Sequence, residues 1–272
     1  MQLTGRRAII VAGAAVAVMA AGGTALAVGI PTPPSARPGA APPAPAGSHV
    51  ATVPAAGISS AALQVASGTA LLSVGVANLG GAGGTLLAVS TPRGAPPPQV
   101  RVAEGGGTAR SGKNDFIVLS ASGGPGPVTV TLNAAVSWLL DFDGGTQRTV
   151  ADLRGGRVTG IFIGAGSDVV DLTLPRPGRQ VPVQLAGGAS QFLLSLPSGV
   201  PVRVTAAGGA GEVSLDGTTY TGVGGGSVFA SPGWSAGAPG FDVDATSGAA
   251  LVSVTRWGGQ ASQAAPTVPF GS

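Results

Sequence analysis

An all-β fold, a stacked-strand and solenoid-like one, is predicted for residues 58–257 by three observations. Apolar and polar residues alternate with period 2 along the segment. Glycine and proline clusters interrupt the alternation about every 8–12 residues, and no stretch repeats apolar residues at i, i+3, i+4 and i+7. The alternation is clearest in Val128-Thr129-Val130-Thr131-Leu132, Val169-Val170-Asp171-Leu172-Thr173-Leu174, Val202-Arg203-Val204-Thr205 and Leu251-Val252-Ser253-Val254-Thr255. Such runs place apolar side chains on one face and polar ones on the other, as a half-buried strand requires. A weak repeat accompanies them. Gly187-Gly188 and Gly208-Gly209 lie 21 positions apart, each after a strand-like run. Gly164-Ala165-Gly166-Ser167 and Thr246-Ser247-Gly248 open similar turns. A strand, glycine-rich corner and strand recurring at this period imply layers that bury one another.

The segments on either side of this body have their own logic. Residues 1–30 hold Arg6 and Arg7, then a run from Ala8 to Ile30 without one charged side chain. At about 1.5 Å per residue the run spans roughly 34 Å, enough for a bilayer core. The arginines favour the cytoplasmic side, so everything after Ile30 is expected to be exported. Ala25-Leu26-Ala27 also fits the cleavage pattern of a secretory signal peptide. The run's length favours a retained anchor, and both readings export the rest of the chain. Residues 31–57 form a Pro/Ala-rich linker with eight prolines, expected to be a polyproline-type spacer or a tether without preferred span. Residues 258–272 lack periodicity and are expected to be a disordered tail.

Charge narrows the partners. The chain carries +3 overall, but Arg6, Arg7 and Arg37 precede the body, which holds eleven basic and eleven acidic residues. Charged residues make up 9% of the chain, too few to track a phosphate backbone, so nucleic acid is excluded as a partner. The chain has no cysteine, which removes disulfides, thiol nucleophiles, lipid-modified cysteines and cysteine metal sites.

Several segments together resemble a known family. Trp138-Leu139-Leu140-Asp141-Phe142-Asp143-Gly144-Gly145, Ala151 to Gly156, Leu196-Pro197-Ser198-Gly199-Val200-Pro201-Val202, Gly208 to Gly217 and Gly222 to Phe229 with Pro232-Gly233-Trp234 are similar to the toastrack, or "putative adhesin", domains of bacterial envelope proteins. The resemblance is clearest from Asn133 to Trp257, and its motifs are turns and corners. It implies a stacked-strand β domain on the outer side of a membrane, in a setting of envelope-stress signalling or surface scaffolding. One membrane segment at most separates this chain from the multi-span members.

Candidate chemistry is sparse. His49, the single histidine, falls in the linker, where no triad can hold it. With one histidine and no cysteine, no transition-metal site is expected, and no cofactor. The carboxylate pairs are Asp141/Asp143, Asp168/Asp171 and Asp242/Asp244. Asp242 and Asp244 share a face if they lie in one strand, whereas Asp168 and Asp171 oppose. Asp143-Gly144 reads as a hairpin turn and Gly222–Gly226 as a tight corner that lacks the Lys-Ser/Thr of a phosphate loop. Asp168, Asp171 and Glu212 are not expected to converge in a pocket. Of the aromatics Trp138, Tyr220, Trp234 and Trp257, the ligand-binding candidates for sugar stacking are Trp234 and Tyr220. The expectation is a non-catalytic, exported or membrane-anchored surface domain serving as scaffold, adhesin or stress-related module, with a cell-wall glycan binder as the alternative and an exported carbohydrate-active enzyme behind it.

Overall fold

The computed structural model describes residues 48–103, 115–120 and 126–258. The leader 1–30, the proline-rich stretch to residue 47 and the tail from 259 lie outside the described residues. Among the described residues the fold is all-β, with helical geometry in a single 3-10 turn at Gly81–Gly83.

Two sheets, of ten and nine strands, face each other across one apolar core. The middle seven strands of each run parallel, and one strand pair supplies a strand to each sheet. In spatial order these rungs are β6–β7 (Asp115–Ser120, Val128–Asn133), β2–β3 (Ser60–Val65, Thr69–Ala77) and β8–β9 (Ser137–Phe142, Thr146–Asp152). Next come β10–β11 (Arg157–Ile163, Ser167–Thr173) and β12–β13 (Gln180–Leu185, Ala189–Pro197). The last two are β18–β19 (Gly240–Ala245, Ala249–Trp257) and β14–β15 (Val202–Ala206, Ala210–Leu215). Antiparallel strands close both ends. At one end β4 (Thr85–Thr91) and β5 (Gln99–Ala103) flank the first rung, with β1 (His49–Pro54) outside β4. At the other, β16 (Thr218–Val223) and β17 (Ser227–Ala230) flank the last.

The period-2 pattern sets the core directly. In the nine-stranded sheet Leu63, Leu140, Ile161, Val183, Val243 and Val204 stand in register, all buried. Across from them Leu72, Thr149, Val170, Phe192, Val252 and Val213 form the matching row. Full burial of each large apolar side chain contributes roughly 1.5–3 kcal/mol.

The glycine pairs mark corners where one rung rests on the next. A Cβ on Gly187 would lie 2.0 Å from the Ala165 carbonyl carbon, and one on Gly208 would lie 2.6 Å from the Gly248 nitrogen. Backbone cannot retreat as a side-chain tip can, so only glycine permits this stacking.

Three expectations are corrected. The sheet starts inside the predicted linker 31–57, because β1 pairs antiparallel with β4 from His49 to Pro54. Its proline is tolerated since β1 is an edge strand and its register shifts between Val53 and Pro54. His49 is thereby held opposite Thr91. Asp143-Gly144-Gly145 is a corner between strands of different sheets, not a hairpin. Finally, the rungs whose glycines repeat 21 positions apart are not neighbours, since β18–β19 lies between them.

Candidate functional site

The outer face of the nine-stranded sheet carries the densest polar arrangement. Arg203 on β14 and Asp242 on β18 are direct neighbours across parallel strands, both outward because Val202, Val204, Phe241 and Val243 point inward. Arg203 donates from Nε and Nη2 to the two Asp242 oxygens at 2.9 and 2.7 Å. Gln180 on β12 adds an Nε2 hydrogen bond to Asp242 Oδ2 at 2.8 Å, and its Oε1 accepts the Gly237 amide. The Arg203 guanidinium lies 5.3 Å from the centre of the Trp234 ring. That ring also packs against Gly240, where a Cβ would stand 3.4 Å from ring Cζ3 and 2.7 Å from the Pro201 carbonyl. The segment after β17 is thus fastened to the sheet by the Arg203–Trp234 cation–π contact and by the Gly237 amide on Gln180 Oε1. The Asp242 carboxylate, accepting three donors, anchors Arg203 and Gln180 in turn. With its charges neutralised internally, the arrangement holds a loop and offers no free acid or base.

Trp234 is therefore half-buried, with Arg203 over its ring. Tyr220, the other aromatic candidate, sits elsewhere. It stands opposite Val213 on β16 while Phe229 stands opposite Val204 on β17. Both partners are core residues, so both rings face inward at the last layer. Their centres are 4.6 Å apart, and Tyr220 is 42% exposed. The structure does not bring Trp234 and Tyr220 together. Trp138 is core, donating to the Asn133 carbonyl at 3.0 Å, and Trp257 donates to the Leu174 carbonyl at 3.2 Å.

The carboxylates are dispersed. Asp242 and Asp244 share the outer face as expected, and Asp244 Oδ1 is buried without a hydrogen-bond partner among the described residues. Asp141 is buried at 3% exposure, and Asp143 at the adjoining corner accepts the Gln64 amide. Asp168 lines a shallow groove of about 460 Å³ beside Gly68, Thr69, Thr146 and Gln147. There Thr146 Oγ1 lies 2.8 Å from both Ser167 Oγ and Thr149 Oγ1. Asp171 stands 3.9 Å from Arg148 on the outer face of the ten-stranded sheet, and Glu212 lies three strands further along. Asp168, Asp171 and Glu212 therefore do not converge. Among the described residues no three His, Asp or Glu side chains form a metal-ligand group. Arg154 donates two side-chain bonds to Asp152 and holds that carboxyl below its ordinary pKa.

Sequence reasoning missed Arg203 and Gln180. Alternation already placed Arg203 outward, but its partner strand arrives 39 residues later in the chain. No local spacing carries that information.

No protein-family model matches the sequence, and no curated protein does. The structure is similar to the crystal structure of a "putative cell adhesion protein" from Clostridium sporogenes. The TM-score is 0.54 at 17% identity, over 76% of this chain and 99% of that one. At this identity the likeness concerns the fold.

Proposed function

We propose that this chain is a non-catalytic, toastrack-type β domain displayed outside the cell, exported or anchored through residues 1–30 on a proline-rich stalk. It acts as an adhesin or scaffold, with a component of the cell envelope or of another surface as partner. The observation that carries the reading is the fold shared with the "putative cell adhesion protein", spanning nearly all of that chain. Support also comes from the carboxylates: Asp242 is held by Arg203 and Gln180, and among the described residues Asp168 stands at its groove without a second acid. A retaining or inverting glycosidase needs two carboxyls facing one bond.

The absence of cysteine makes the test clean. An Asp168→Cys chain, produced in a bacterial host, should react with a membrane-impermeant maleimide in intact cells. Labelling only after lysis contradicts surface display. Release of soluble sugar from envelope glycan by the purified chain contradicts the non-catalytic assignment.

A further inference from the structure

The two ends of the stack differ in what they leave unpaired. Among the described residues β16 and β17 are the edges of their sheets at one end, and β1 and β5 at the other. Exposed edges invite pairing with another chain unless charge, proline or a bulge blunts them. β1 carries Pro54 with its register shift, and β5 carries exposed Arg101. β16 (Thr218-Thr219-Tyr220-Thr221-Gly222-Val223) and β17 (Ser227-Val228-Phe229-Ala230) carry none of these from Thr218 to Thr221 and throughout β17. The sequence has no charged residue from Gly217 to Phe241.

The core also stays open there. Tyr220 and Phe229 face inward in the last layer, yet Tyr220 is 42% exposed, and Val228 on the outward face of β17 is 58% exposed. A neighbour that continued both sheets would cover the ring pair and satisfy both rows of backbone groups.

We infer that the occupant is a second copy of this chain, with β16 and β17 each pairing antiparallel to their counterparts about a two-fold axis normal to the sheets. Antiparallel self-pairing sets the segment against its own copy, residue i facing residue j, so a segment carrying charges of one sign would repel itself, and this segment has no charge. One axis serves both sheets, because rotation about the sheet normal keeps the second sheet on the same side. The tethers then diverge. The described chain enters at β1, nine strand spacings from β16, so at about 4.8 Å per strand the two entry points lie roughly 90 Å apart. Such a tip-to-tip pair suits a link between two facing surfaces, a consequence that rests on the surface-display reading. The pairing itself does not.

Single cysteines in the otherwise cysteine-free full chain test it. Thr219→Cys should give a disulfide-linked species of twice the chain mass under mild oxidation, in excess of a Thr52→Cys control on exposed β1. Adding Thr221→Lys to Thr219→Cys should reduce the cross-linked yield at least fivefold. Equal yields from Thr219→Cys and Thr52→Cys, or none from either, overturn the proposal. Cross-linking of Thr219→Cys only after removal of residues 259–272 also overturns it, since the tail would then be the occupant. Because the test uses purified protein, its failure is distinct from a failure of surface labelling.

Discussion

At the end of the stack where the described chain begins, the ten-stranded sheet is closed by two antiparallel strands and the nine-stranded sheet by one, whereas at the opposite end each sheet is closed by a single strand. At the first, β4 and β5 cover the outer rung and β1 adds another strand to the ten-stranded sheet. Buried Asn133 fastens this end, donating to the Gly81 and Thr85 carbonyls while its Oδ1 accepts the Ala135 amide. At the second, one antiparallel layer closes the core with a half-exposed ring pair and uncharged edges. The interior rungs are alike in pattern at both ends. What separates the ends is edge chemistry, and edge chemistry decides where a further strand can add.

The largest expected effect comes from the order of the rungs. β18 and β19 are last in the chain but lie between β12–β13 and β14–β15. Deleting residues 240–272 should therefore strip β14 to β17 of their seat and leave them protease-sensitive. Deleting residues 1–57 should remove only β1 and leave the remaining stack cooperative. Limited proteolysis followed by mass spectrometry checks both, and resistance of 202–230 in the first deletion would break the topology.

Single substitutions sharpen the contrast. Phe241→Ala in the interior should cost about 4 kcal/mol by denaturant unfolding, while Tyr220→Ala at the open end should cost about 1 kcal/mol. Comparable costs would mean the open end is covered in the folded chain. Asn133→Ala should cost about 2 kcal/mol, because a fully buried side chain that makes three hydrogen bonds is removed and two part-buried carbonyls lose a donor. The smallest effect concerns neither end. Asp152, mid-stack on β9, has its pKa lowered chiefly by the side-chain hydrogen bond from Arg154. The folded carboxyl binds its proton less readily than the unfolded one does. The stabilisation is therefore present above the ordinary carboxylate range and disappears as pH falls through the lowered folded-state value. Asp152→Asn should flatten that acid limb of the stability profile slightly, the pair being half-exposed.

Strands and corners were legible because they are local. Val202 to Thr205 and Leu251 to Thr255 alternate as strands must, and Gly187 and Gly208 stand where backbones touch. Of the predicted corner Gly222–Gly226, Gly224–Gly226 forms the turn, its Gly226 amide bonded to the Ala206 carbonyl at 2.9 Å, whereas Gly222 and Val223 end β16. The spatial order of rungs was not legible, because a repeat reports each unit's shape and not its neighbour. Gly208 rests on Gly248, forty residues ahead, and nothing near either glycine encodes that contact. The same holds for the Arg203–Asp242 pair. β1 was hidden by Pro54, whose meaning changes once it stands on an edge strand.

Hydrogen exchange on the full chain as a function of protein concentration tests the difference between the ends most directly. The alternate amides of Thr218 to Thr221 that point away from β15 should be fast in dilute solution and become protected as concentration rises. Those of β1 should not respond, and Leu251 to Thr255 should be slow throughout, as interior strands are. Equal responses at β1 and β16, no response at β16, or edge-like exchange in β19 would contradict the account.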